Sequence, residues 1–98
     1  VSEKLRVVAI DDNPATLEVI ARILTPHGYA VRTAVGFAEA LAHLQREPAD
    51  VVITDFRMPG EDGLAVVRTV REQFPDTEIM MLTGYPSVEG AVHAMRDG

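Results

Sequence analysis

Short β-branched runs alternate with helical stripes along the whole chain. Residues 5–10 (LRVVAI) read as a strand, and Asn13 with Pro14 then supply an N-cap and a first helical residue. Leu17, Ile20, Ala21 and Leu24 recur at i, i+3, i+4, i+7, one face of a helix, which Pro26 and Gly28 close. Ala30–Ala34 (AVRTA) mixes apolar with polar positions, the pattern of a strand at a sheet edge. Phe37, Ala40, Leu41 and Leu44 mark a second helix, stopped by Pro48. Residues 51–54 (VVIT) form a continuous β-branched run, as expected of a central strand buried on both faces. After a turn over residues 58–63, Leu64, Val67, Val70 and Phe74 mark a third helix, ended by Pro75. Residues 79–82 (IMML) give a fourth strand. Pro86 opens a fourth helix with a Val88, Ala91, Val92, Met95 stripe, weakened by Gly90.

Strict β–α alternation with short connections predicts an α/β fold, a doubly wound parallel sheet with helices on both faces. In such sheets ligands sit at the carboxyl ends of the strands. Asp11 and Asp12 follow the first strand, Asp55 follows the third and Thr83 follows the fourth. With strands one, three and four adjacent, three carboxylates and a hydroxyl converge in one crevice. Hard oxygen ligands under mutual repulsion specify a divalent cation, most plausibly Mg²⁺. Each residue has a plainer explanation when taken singly: helix-dipole pairing for Asp11 and Asp12, turn initiation for Asp55, a strand end for Thr83. Asn13 already fills the cap, however, and the plainer explanations require four coincidences at the place where ligands bind.

Composition narrows the function classes. Ninety-eight residues with 47% hydrophobic and 24% charged content describe one globular domain, residues 1–98. Nine basic against fifteen acidic residues give a net charge of −6, a poor match for a nucleic-acid backbone, and no tryptophan offers a base-stacking platform. The absence of cysteine excludes disulfide and thiolate-metal chemistry and fits a reducing compartment, hence a cytoplasmic location. No stretch approaches the length of a membrane span. No signal or lipidation motif stands at the start.

The ordered set of Asp11-Asp12, Asp55 after VVIT, Met58-Pro59-Gly60 with Asp62-Gly63, and Thr83-Gly84 resembles the receiver domain of two-component response regulators. The resemblance runs from Leu5 to the chain end. It implies the flavodoxin-like receiver fold with strand order 2-1-3-4-5, and a signalling switch rather than a conventional enzyme. It makes Asp55 the phosphoacceptor, charged from a phosphohistidine on a sensor histidine kinase or phosphotransfer protein. Asp12 becomes a direct Mg²⁺ ligand, Asp11 an acid holding the metal mainly through water, and the Arg57 backbone carbonyl a further ligand. Thr83 becomes the switch hydroxyl. The implied downstream partner is an effector domain or protein, with no direct nucleic-acid or membrane binding by this domain, and a homodimer is admitted.

The sequence departs from the family at its end. Receivers carry a fifth strand and helix, about 20 residues more, and a lysine that touches the phosphoryl group. The only lysine here is Lys4, at the wrong end of the first strand, and Tyr85 is not the family's aromatic switch residue. The expectation is a fragment of a longer regulator, since residues 94–98 read like the lead into the missing strand. Two alternatives are weighed. A covalent phosphatase using Asp55 lacks a nearby acid–base carboxylate, because Glu61 and Asp62 stand too far along the loop. A degenerate, protein-binding receiver is argued only by the missing lysine. His27 reads as a cation at a helix end, His43 and His93 as helix-surface residues, Met80 and Met81 as packing, and Arg68 with Arg71 as a solvated face. Ser87 has no nucleophile context.

Overall fold

The computed structural model describes residues 4–55 and 63–82. In chain order the elements are β1 (Arg6–Ile10), α1 (Pro14–Leu24), a 3₁₀ turn (Thr25–His27), β2 (Ala30–Ala34), α2 (Phe37–Arg46), β3 (Val51–Asp55), α3 (Gly63–Gln73) and β4 (Glu78–Leu82). The expected fourth helix lies outside the described residues.

The four strands form one parallel sheet in the order β2-β1-β3-β4. The order places the mixed-polarity β2 at an edge and the mainly apolar β1 and β3 inside, as their patterns require. Strand alternation sorts the core into two layers. Val7 and Ala9 of β1 and Ile53 of β3 pack with Leu17, Ile20 and Leu24 of α1. Val8, Ile10 and Val52 pack on the other face with Ala40 and Leu44 of α2 and Val66 and Val70 of α3. Each fully buried aliphatic side chain contributes about 1.5–3 kcal/mol.

Caps and clamps fix the helices. Asn13, in extended backbone, accepts the Ala15 N–H on its side chain and Pro14 follows, as expected. Gly28 ends the 3₁₀ turn in the left-handed region at φ 93°, which disfavours any side chain there. The polar residue in β2 also has a use. Arg32 reaches across to donate to the His43 and Glu47 carbonyls at 3.0 and 2.8 Å at the end of α2, the first of which also accepts the Glu47 N–H.

Two expectations need correction. The inward stripe of α3 is Val66 and Val70, with Phe74 packed just past its end, whereas Leu64 is 53% exposed. Spacings 64-67-70-74 and 66-70-74 share two positions, so apolar periodicity alone could not choose between them. The chosen face puts Leu64, Arg68 and Arg71 outward, so those arginines are solvated as expected. His43 is not a plain surface residue. It is half-buried, and its Nε2 lies 3.1 Å from the Thr33 carbonyl, which requires the proton on Nε2.

Candidate functional site

Asp11 and Asp55 stand at the carboxyl ends of two neighbouring strands, related by register rather than by sequence proximity. Val7 to Ile10 of β1 pair with Val51 to Thr54 of β3. Asp11 and Asp55 are the next residues along these two strands, and neighbouring strands lie about 4.8 Å apart. Asp55 is the last residue of β3 and pairs with Leu82, the last of β4. Thr83 follows Leu82 in the chain. It lies outside the described residues, as does Arg57, with its carbonyl, in the segment after β3.

Asp11 and Asp12 differ in environment. Asp11 is 4% exposed, and its N–H donates to the Ala34 carbonyl at 3.1 Å, tying the end of β1 to the end of β2. Its Oδ1 accepts the Asn13 N–H at 2.8 Å. Asp12 is exposed, between that buried carboxylate and the cap of α1. Asp11 and Asp12 put a buried carboxylate and an exposed one in succession at the start of α1, two hard-oxygen donors. That set suits Mg²⁺, which keeps several waters and takes only one or two carboxylates directly. Among the described residues no group of three or more His, Cys, Asp or Glu side chains gathers into a metal site.

Thr54, just before Asp55, is fully buried, as the reading of VVIT as a central strand requires. One feature of this end was not anticipated. The Asn13 backbone bond to Asp11 was missed, because sequence marks a cap but not where the cap's own N–H points. At the opposite end of the sheet a cleft is lined by Arg6, Pro48, Asp50, Phe74 and Thr77. It holds no residue singled out for chemistry. Arg6 there is already occupied by Glu47 and Asp50.

Comparison with known proteins agrees with this geometry. The family model described as "Response regulator receiver domain" matches residues 7–98. The transcriptional regulatory protein GlrR of Escherichia coli K12 is 37% identical over 89 residues, which is 91% of this chain and 20% of that protein. The C4-dicarboxylate transport transcriptional regulatory protein DctD of Rhizobium meliloti is 37% identical over 92 residues, 94% of this chain and 20% of that protein. This chain therefore spans about a fifth of the length of these curated relatives. Among solved structures, the chemotaxis response regulator CheY4 of Vibrio cholerae superposes with a TM-score of 0.77 at 35% identity, covering 97% of this chain and 81% of that one. The response regulator TrrA of Thermotoga maritima, solved in complex with Mg(2+)-BeF, gives a TM-score of 0.75 at 32% identity, covering 93% of this chain and 79% of that one. This chain belongs to the response regulator receiver domain family, with the parallel 2-1-3-4 sheet of that fold.

Proposed function

We propose that this receiver domain is a phosphorylation-driven signalling switch, with residues 1–98 acting as one unit and Asp55 as the acceptor. The observation that carries the reading is the parallel register of β1 and β3, with Ile10 opposite Thr54 and Asp11 and Asp55 next in each strand. The Asp55 carboxylate attacks the phosphorus of a phosphohistidine on a partner kinase or phosphotransfer protein. The P–N bond breaks as the new P–O bond forms, and the imidazole leaves as a neutral group after taking a proton. Asp12 and Asp11 would hold Mg²⁺, with Asp55 and the Arg57 carbonyl completing the protein ligands. The ion, when bound, neutralises the crowded carboxylates and the phosphoryl oxygens, which is where phosphoryl transfer needs help. The complex of TrrA with Mg(2+)-BeF supports such a site in this family.

The acyl phosphate product adds charge and acceptor oxygens at the end of β3. Thr83, one residue past β4, is placed in sequence to donate its hydroxyl to them and so report the change. The two curated relatives are transcriptional regulators, so the proposed output is control of an attached or partner effector that acts on transcription. Among the described residues no helix is long and apolar enough to cross a membrane, in keeping with a cytoplasmic partner set.

The test is intact mass spectrometry of the chain incubated with a small acyl phosphate, with and without MgCl₂. One added phosphoryl group is expected, dependent on Mg²⁺ and absent in Asp55→Asn. Equal phosphorylation of Asp55→Asn would assign the acceptor elsewhere. If the full-length protein also gained no phosphoryl group, the degenerate, protein-binding reading would take its place.

A further inference from the structure

Asn13 engages its backbone N–H, its carbonyl and its side-chain oxygen at once. Its N–H donates to Asp11 Oδ1 at 2.8 Å. Its carbonyl accepts the Thr16 and Leu17 N–H groups at 3.1 and 3.3 Å, the first bonds of α1. Its Oδ1 accepts the Ala15 N–H at 3.0 Å. The residue before the acidic pair is equally fixed, since Ile10 is the last residue of β1 and is 2% exposed. Asp11 and Asp12 therefore form a two-residue span with a fixed point at each end. The upstream one belongs to the sheet. The downstream one is Asn13.

The two roles of Asn13 are mechanically joined. The side-chain bond to Ala15 holds Asn13 in extended backbone, φ −102°, ψ 110°, and that conformation aims its N–H back at Asp11. A residue that cannot cap gives the first turn of α1 freedom to fray. The N–H then swings away, and the Asp11 carboxylate and the Asp12 backbone lose their downstream anchor. We infer that Asn13 is a positioning residue for the metal-binding acids, so that the order of the first turn of α1 and the affinity for the cation are one coupled equilibrium. This rests on the Mg²⁺ reading proposed above. Asn13 itself need not touch the ion.

The size of the effect follows from that coupling. Exchange of an N-cap Asn for Ala typically shifts the local equilibrium roughly fivefold. A ligand that needs the ordered turn sees its apparent affinity fall by the fraction of chains that keep it.

The experiment is isothermal titration of the chain with MgCl₂ at a temperature where far-UV circular dichroism shows every variant folded. Asn13→Ala is expected to weaken Mg²⁺ binding about three- to fivefold. Asn13→Gln keeps the amide but moves it one methylene too far to cap, and should match Asn13→Ala. Asn13→Ser caps without an amide or a charge, and should restore affinity to within about twofold of wild type. A merely structural cap would lower the melting temperature of Asn13→Ala and leave the affinity of the folded chain unchanged. That result overturns the inference. Equal weakening in Asn13→Ser overturns it too, because capping would not then be the route. A wild-type chain that binds no Mg²⁺ would instead refute the metal reading itself, and Asp12→Ala, expected to abolish binding, marks that baseline.

Discussion

Removing one negative charge from the proposed site should make this protein more stable, and the gain should depend on Mg²⁺. Asp11 is buried, and it and Asp55 are the next residues after the paired Ile10 and Thr54 of neighbouring strands. Two like charges about 6 Å apart repel by about 3 kcal/mol at an effective dielectric constant of 20 and by about 0.7 kcal/mol at that of water. The exposure of neighbouring Asp12 keeps the site partly wet. A net repulsion of about 1–2 kcal/mol is therefore expected. Asp55→Asn relieves it. For a domain of this length each kcal/mol moves the melting temperature by about 4–8 °C. The assay is a thermal melt followed by circular dichroism, run in EDTA and again in excess MgCl₂. In EDTA the variant should melt at least about 4 °C above wild type. Saturating Mg²⁺ stabilises whichever chain binds it, by about 2.7 kcal/mol at one hundred times the dissociation constant. Wild type, with its full ligand set, should gain more than the variant, so the gap closes or inverts. Equal melting temperatures in EDTA would mean that the carboxylates do not crowd one another. A Mg²⁺ increment of the same size in both chains would mean that Asp55 is not among the ligands.

Two further outcomes test the scaffold. Arg32→Ala removes the two guanidinium bonds to the end of α2 and should cost about 1–2 kcal/mol in urea unfolding, and a loss below about 0.3 kcal/mol would show that water replaces the guanidinium equally well. Val66→Ala should cost about 2 kcal/mol and Leu64→Ala less than about 0.5 kcal/mol, and the reverse ranking would restore the face of α3 suggested by periodicity alone.

Much of this was legible in the sequence because the local signals are of kinds that tertiary packing rarely overrides. Val51, Val52 and Ile53 could only be an interior strand, and Asn13-Pro14 could only start a helix with comfort. The strand order that makes β1 and β3 neighbours, and so puts Asp11 and Asp55 at the ends of adjacent strands, was legible one level up. The orientation of α3 was not. Val66 and Val67 are chemically alike, and the choice between them belongs to the sheet face on which Val52 and Ile10 wait. His43 was misread for a related reason. Its polarity suggested solvent, while its partner is a backbone carbonyl on β2, which leaves no trace in the side-chain pattern. The bond between Asn13 and Asp11 was hidden in the same way, as a contact made by backbone.

The two ends of the sheet put the same residue type to opposite uses. At the amino ends of the strands, Asp50 is bound on several sides. Its carboxylate accepts the Arg6 N–H at 2.7 Å and lies 3.8 Å from the Arg6 guanidinium. Its own N–H donates to the Arg6 carbonyl, and its carbonyl accepts the Glu78 N–H. One aspartate thus fastens β1, β3 and β4 at their starts, and its charge is spent on that task. At the carboxyl ends Asp11 is buried and also tied by backbone contacts, but it leads into a helix. Its N–H donates to the Ala34 carbonyl at the end of β2, and its carboxylate accepts the Asn13 N–H at the start of α1. Asp50 thus locks the strands to one another where they begin, whereas Asp11 sets the path of the chain from the end of β1 into α1 and leaves Asp12 exposed beside it.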